Sequence, residues 1–258
     1  MSGDLAEFAA FAGHLADESG AFIRPLFRKK IDIISKADES PVTEADRGAE
    51  RVMRAIINER YPDHGIVGEE YGAEKADAEW VWHLDPIDGT KSFISGSAQF
   101  ATLIALCRHG KPVVGVINQP VNNERWIGVD GEQTTFNGAP ITTRKCPDIE
   151  AATLYTWGAE ILYGEKGPVI RELIETVKLT RFSADGYAYG LLSLGFVDIV
   201  ADEGMSPHDY LALAPVVKGA GGAITDWDGR EIEYGIGAKT LAVGDPALRD
   251  TVLKILQG

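Results

Sequence analysis

The sequence predicts a mixed α+β and α/β protein of two lobes, on three observations. Apolar residues recur at helical spacing from Leu5 to Ile57. Apolar or alternating runs separated by tight turns occupy Gln99 to Asn137, and helix-like and strand-like runs alternate after Cys146-Pro147. The lobes are expected to meet near residues 140–150. Residues 1–145 would then form an N-terminal α+β lobe with an antiparallel sheet, and 146–258 a C-terminal α/β lobe completing the site.

In the N-terminal part, Leu5, Phe8, Ala9, Phe11, Ala12 and Leu15, continued by Ile23, Leu26 and Phe27, predict an amphipathic helix over 4–29, interrupted near Gly20. A polar segment, Ser35 to Pro41, follows. Thr43-Glu44-Ala45-Asp46 then opens a second helix with Ala49, Val52, Met53, Ile56 and Ile57 on one face, ended by Pro62. Gly65-Ile66-Val67 and Trp80–Leu84 read as strands. Phe100–Cys107, Pro112–Gln119 and Arg125–Val129 read as an antiparallel meander turning at His109-Gly110, Asn122-Asn123 and Asp130-Gly131. Farther on, strands are expected near 152–156, 179–182, 196–201, 223–226 and 240–243. Helices are expected near 169–177, 187–194, 207–219 and 246–256.

Composition narrows the function. The 258 residues are 45% apolar and 25% charged, as in a globule with a substantial core. A formal net charge of −14 argues against nucleic acid or an anionic membrane as partner, since both need basic patches. Runs of about 18 apolar residues, the length that spans a bilayer, are absent. Cys107 and Cys146 lack the spacing of a metal or redox pair and read as reduced thiols. With no basic, apolar leader at Met1-Ser2-Gly3-Asp4, a cytoplasmic location is expected.

The chemistry concentrates in Asp85-Pro86-Ile87-Asp88-Gly89-Thr90, directly after the apolar run Trp80–Leu84. A strand end there presents two carboxylates, a backbone carbonyl between them and a Gly-Thr turn with free N–H groups. That combination suits a divalent cation holding a phosphate. Gly68-Glu69-Glu70 is a second acidic corner after a short apolar run. Asp209, in Ser206-Pro207-His208-Asp209, and Asp46, after Thr43, both stand three residues beyond an N-cap, where capping alone accounts for an Asp. His83 and His208 are single imidazoles, read as core or surface residues. The G-x-S-x-G, Walker-loop, G-x-G-x-x-G and H-E-x-x-H signatures are absent, and an all-oxygen donor set favours Mg²⁺ or Mn²⁺ over Zn²⁺.

Gly68-Glu69-Glu70, Asp85–Thr90 and a distant Asp209 before a helix ending at Gly221-Gly222 resemble, in order and spacing, the inositol monophosphatase superfamily. The resemblance implies a layered α-β-α-β-α sandwich, a homodimer, and hydrolysis of a small-molecule phosphate monoester with two or three Mg²⁺ ions. It implies Glu69, Asp85, the Ile87 carbonyl, Asp88 and Asp209 as metal ligands, with Asp46 on an outer metal or its water. It further implies phosphate contacts from Gly89 and Thr90 and, with Asp88 adjoining the substrate, an attacking water oriented by Thr90 and Glu69.

Within the superfamily the chain resembles the bacterial histidinol-phosphatases. The carrying segments are Asp85–Phe93, Gln119-Pro120 with Glu124-Arg125-Trp126, Thr135–Gly138, Asp185–Gly190 and Ser206–Leu211. It departs from that branch at His208, where an aromatic is usual, and at Gly186, where a Cys is usual. L-Histidinol phosphate carries an ammonium and an imidazole, so carboxylates outside the metal set should receive it, and Asp185 and Asp202 are the candidates. Three competing readings remain: an inositol-1-monophosphatase or other sugar or nucleotide phosphatase of the superfamily, a covalent haloacid-dehalogenase-type phosphatase, and a metal-binding regulatory protein.

Overall fold

The computed structural model describes residues 3–30, 33–35 and 41–258. Helix α1 (Gly3–Ile23) runs unbroken through Gly20, where the missing side chain lets the helix lie against Pro120. It stops two residues before Pro25, which cannot supply the next helical N–H. The polar segment predicted over Ser35–Pro41 lies, at 36–40, outside the described residues. Strands β1 (Ile33–Ser35) and β2 (Pro41–Thr43) pair antiparallel. Thr43 then caps α2 (Glu44–Arg60), exchanging hydrogen bonds with Asp46 as the sequence pattern predicts.

The large sheet contains β3 (Gly65–Gly68), β4 (Gly72–Glu74), β5 (Trp80–Asp88), β6 (Ala101–Arg108), β7 (Lys111–Gln119), β8 (Glu124–Val129), β9 (Thr135–Phe136) and β10 (Ala139–Pro140). Their order is β10-β9-β8-β7-β6-β5-β3-β4, antiparallel throughout except for the parallel pair β3–β5. The predicted meander is β6–β7–β8. Alternation sorts its side chains: Ile104 and Leu106 join Trp82, Leu84 and Val116 under α1 and α2, whereas Leu103, Ala105 and Cys107 face the opposite way. The exposed Gly-Ala-Glu of β4 has no apolar pattern to announce it.

A short helix, α3 (Thr90–Ile94), separates β5 from β6. The second sheet contains β11 (Thr153–Thr156), β12 (Leu179–Phe182), β13 (Ile199–Glu203), β14 (Ala223–Asp226) and β15 (Lys239–Val243), in the order β12-β11-β13-β15-β14. Helices α4 (Gly167–Thr176), α5 (Asp185–Ser193), α6 (Pro207–Tyr210), α7 (Leu213–Gly219) and α8 (Arg249–Gln257) complete the chain. Val200 and Ala242 face the middle helices α5 and α7, and Ile199, Ala201, Leu241 and Val243 face α4 and α8. The layers are therefore α1/α2, large sheet, α5–α7, small sheet and α4/α8, the expected α-β-α-β-α sandwich. The middle core draws on both sheets.

Two further local expectations change. The helix predicted over 207–219 is split at Leu211-Ala212, because Pro215 has no N–H for the Leu211 carbonyl. The strand predicted from Phe196 begins at Ile199, because Gly195 adopts a left-handed φ of 78° and the Phe196 N–H closes the end of α5 on the Leu191 carbonyl.

Helix α7 and the residues leading into it lie on a bare patch of the large sheet. Gly115 and Gly128 are cross-strand partners, and a Cβ on either would overlap the backbone at Ala212 or Pro215. Gly115→Ala and Gly128→Ala should each destabilise the protein by about 1–3 kcal/mol in denaturant unfolding, the usual penalty for overpacking. An unchanged midpoint would show that α7 shifts freely.

Candidate active site

Strand β5 does not end at Leu84; it runs on through the acidic motif to Asp88. Its ladder pairs Asp85 with Leu103 and Asp88 with Ala101, so three steps on β5 face two on β6. This bulge corrects the alternation that would send the two carboxylates to opposite faces. Leu103 and Ala101 both belong to the middle core, so Asp85 and Asp88 both point into the middle layer. Asp85 Oδ1 accepts the Ile87 N–H at 3.0 Å, and Asp88 accepts the N–H of Gly186 at the start of α5.

The third carboxylate comes from the far side of the sequence. Ser206 caps α6, and the Ser206 N–H donates to Asp209 Oδ2 at 2.7 Å. The other oxygen, Oδ1, lies 3.4 Å from His208 Nε2. Capping and site formation are thus compatible. Oxygen atoms of Asp85, Asp88 and Asp209 lie within 4.8 Å of one another, and a second group within the same limit joins Glu69, Asp85 and His208.

Electrostatics tests whether this set fits a cation. Burial, then the charges of Glu69, Asp88 and Asp209, pushes the Asp85 carboxyl well above its usual range. Asp88 is raised by burial and then by Asp185 and Asp209. Asp209 is raised by burial, against the opposing influence of His208. Buried carboxylates that crowd one another stay ionised readily only when a positive charge joins them. Hard oxygen donors suit Mg²⁺ or Mn²⁺, so the residues present fit the expected metal.

Next to this cluster Asp46 is buried at the start of α2 and accepts both the N–H and the hydroxyl of Thr43, at 2.9 and 2.6 Å. Burial raises its carboxyl too, with a smaller contribution from Glu69. The Thr90 hydroxyl stands between the Ile87 carbonyl, 3.1 Å away, and Asp46 Oδ1, at 3.4 Å. Gly89 has a left-handed φ of 89°, and a Cβ there would lie 2.7 Å from Asp185 Oδ2. Glycine is required at that turn both by conformation and by space.

Two cavities open beside the cluster. One, of about 440 Å³, is bordered by Glu69, Thr90, Trp157, Glu160 and Asp185. The other, of about 290 Å³, is bordered by Asp88, Trp157, Asp185, Asp202, Glu203 and Asp209. Asp185 borders both, and burial followed by the Asp209 charge raises its carboxyl to about 6. Asp202 is differently placed: its oxygens accept the Trp157 N–H at 2.8 Å and the Tyr189 hydroxyl at 2.9 Å. A larger cavity of about 1090 Å³, lined by Arg108, Lys111, Glu132 and Lys218 among others, borders none of the acidic cluster.

The structure therefore brings Glu69, Asp85, Asp88 and Asp209 together, with Asp46, Ile87, Gly89 and Thr90 adjoining and Asp185 across the opening. Asp202 lies at the wall with its oxygens engaged. Three residues escape the sequence reading. His208 enters the cluster itself, Trp157 lines both cavities, and Glu50, fully buried on α2, accepts the N–H groups of Glu70 and Tyr71. His208 adjoins a singled-out Asp, a usable signal; Trp157 and Glu50 have none.

Comparison with known proteins agrees with this geometry. The model of the inositol monophosphatase family matches residues 4–257. The chain is 45% identical over 263 residues to the bifunctional phosphatase IMPL2, chloroplastic, of Arabidopsis thaliana, covering 98% of this chain and 76% of that protein. It is 34% identical over 219 residues to the histidinol-phosphatase of Chlorobaculum parvum, covering 84% and 85%. An inositol monophosphatase structure from Zymomonas mobilis superposes with a TM-score of 0.89 at 42% identity, covering 98% of each chain.

Asp202 yields a pH test. Burial, opposed by its hydrogen bonds, raises its carboxyl from 3.8 to about 7. Between those values the folded protein keeps a proton that the unfolded chain releases. The stability this supplies is fully present below 3.8 and is lost as pH rises through about 7. Asp202→Asn removes that ionisation. The melting temperature of the metal-free variant minus that of the parent should therefore grow from pH 4 to pH 8 (roughly, the span of that titration). A constant difference would contradict it.

Proposed function

Because the chain belongs to the inositol monophosphatase family, we propose that this metal-dependent phosphomonoesterase hydrolyses L-histidinol phosphate, in histidine biosynthesis. The observation that carries the chemistry is the convergence of buried Asp85 with half-buried Asp88 and Asp209 beside a Gly-Thr turn. The observation that favours a cationic alcohol is the lining of the two cavities, where Asp185, Glu160 and Glu203 stand with one cation, Lys91, itself 3.7 Å from Glu160. The 34% identity to a histidinol-phosphatase points the same way.

In this reading Glu69, Asp85, Asp88, Asp209 and the Ile87 carbonyl hold two or three Mg²⁺ ions per subunit, with Mn²⁺ as a substitute, and Asp46 serves an outer one. Bound divalent cations supply Lewis acidity, offsetting charge on phosphate and leaving-group oxygens and making water more acidic. The N–H groups of Gly89 and Thr90 hold phosphate oxygens. The Thr90 hydroxyl, oriented by Asp46 and the Ile87 carbonyl, fixes with Glu69 the water that attacks phosphorus. The new P–O bond comes from that water, the ester P–O bond breaks, and the alcohol leaves with a proton. A covalent phospho-aspartate is not part of this route.

Asp185, which lines both cavities, receives the ammonium or imidazolium group. Asp202 shapes the wall by holding Trp157 and Tyr189, and adds negative potential only where pH exceeds about 7. A homodimer completes the reading. Among the described residues no helix is long and apolar enough to cross a membrane. The cytoplasmic location expected from sequence is kept as part of the proposal, although the Arabidopsis relative is chloroplastic by name.

Phosphate release in Mg²⁺ should be at least about tenfold more efficient with L-histidinol phosphate than with myo-inositol 1-phosphate, a difference one buried ionic contact supplies. Preference for the inositol ester would favour the inositol-1-monophosphatase reading. No release from sugar, nucleotide or amino-alcohol phosphates would favour a metal-binding regulatory protein. Asp185→Asn should raise KM for the cationic ester by about tenfold and leave the inositol ester nearly unaffected. Equal effects on both would remove Asp185 from substrate recognition.

A further inference from the structure

The acidic corner that carries Glu69 is held by a buried ion pair outside the cluster. Glu50 and Arg54 lie one helical turn apart on α2; Glu50 is fully enclosed and Arg54 is buried. The Glu50 carboxylate accepts the N–H of Glu70 at 2.7 Å, the N–H of Tyr71 at 3.2 Å and Arg54 Nε at 2.7 Å. Arg54 continues to the Gly72 carbonyl and to Glu74 Oε1 at 3.1 Å. On the same stripe, Arg47 Nε lies 3.7 Å from Glu70 Oε2, and Arg51 donates to the Tyr71 hydroxyl at 3.2 Å. Gly68 closes the packing, since a Cβ there would overlap the Glu50 carboxylate.

A buried ion pair adds little net stability over a well-packed apolar pair, because desolvation consumes most of its attraction. Its effect here is geometric. One carboxylate gripping two successive N–H groups fixes the peptide planes on both sides of Glu70, and so the direction in which the preceding Glu69 leaves the chain. The same helix carries Asp46, whose carboxyl feels the charge of Glu69. One rigid element thus sets the spacing of both acids.

We propose that the buried Glu50–Arg54 pair is the positioning element that holds Glu69 toward the cation site, so that cation affinity depends on residues that never touch the ion. This rests on the reading of Glu69 as a ligand. Supports that orient metal ligands typically change affinity by about 10- to 100-fold when removed.

The test is calorimetric titration of the metal-free protein with Mn²⁺ alone, on Glu50→Gln, Gly68→Ala and Glu69→Gln, with Glu59→Gln on the exposed side of α2 as control. Glu50→Gln and Gly68→Ala, which attack one contact from opposite sides, should each weaken binding by about tenfold or more, and the control by less than about twofold. A lowered metal-free melting temperature with unchanged Mn²⁺ affinity would assign the pair a merely structural role and overturn the proposal. If Glu69→Gln leaves affinity unchanged, Glu69 is not a ligand, and this proposal falls with that reading. If Glu69→Gln weakens binding and the other two do not, the positioning claim alone fails. Hydrogen exchange on the unmodified metal-free protein needs no variant to fold: the Glu70 and Tyr71 amides should be protected, and exchange as fast as at the Gly131 turn would overturn the proposal.

Discussion

Several carboxylates cannot share one buried space without a positive charge among them, and much of this molecule is arranged around that constraint. Left alone, Asp85, Asp88 and Asp209 repel and hold protons, which is what burial and their mutual charge do to them here. Folding nevertheless forces them together. The bulge in β5 turns two of them to one face, and the N-cap at Ser206 fixes the third by a backbone hydrogen bond. A divalent cation joining the assembly would relieve that repulsion, which makes the cluster a fitting site for one.

The layered architecture makes this convergence possible. The acids come from α2, the corner after β3, the end of β5 and the start of α6, which are far apart in sequence and belong to different layers. The shared middle core locks the sheets against α5–α7, so the distance from β5 to α6 is set by packing rather than by loops. Gly115 and Gly128 let α7 approach the large sheet closely, and the Gly186 N–H reaches Asp88 because α5 begins directly beneath it. Small residues at these crossings do what no polar side chain could: they bring backbones near enough for the charges to meet.

Around the acidic cluster, polar groups divide into those that hold and those that are left open. Glu50 and Asp202 are consumed by internal hydrogen bonds and shape the walls. Asp185 lines both cavities with a left-handed φ of 45°, a conformation Asp adopts more readily than most side chains.

By itself the sequence determined the local elements and the chemical inventory. Period-two alternation in β6 and β7, the caps at Thr43 and Ser206, and Asp85–Thr90 after an apolar strand are all properties of adjacent residues, and adjacency is what a sequence displays. Which acids would meet came from the resemblance to a known family, since capping alone accounts for Asp46 and Asp209. Only tertiary structure decided that one extra residue between Asp85 and Asp88 aligns their side chains, that Pro215 splits a helix that periodicity draws as continuous, and that Glu50 serves the corner at Glu70. Those outcomes depend on register, on a missing N–H and on contacts between residues 20 positions apart in the chain. Hydrophobic pattern is blind to all three, because it records which face of an element is buried but not which backbone groups that burial brings within reach.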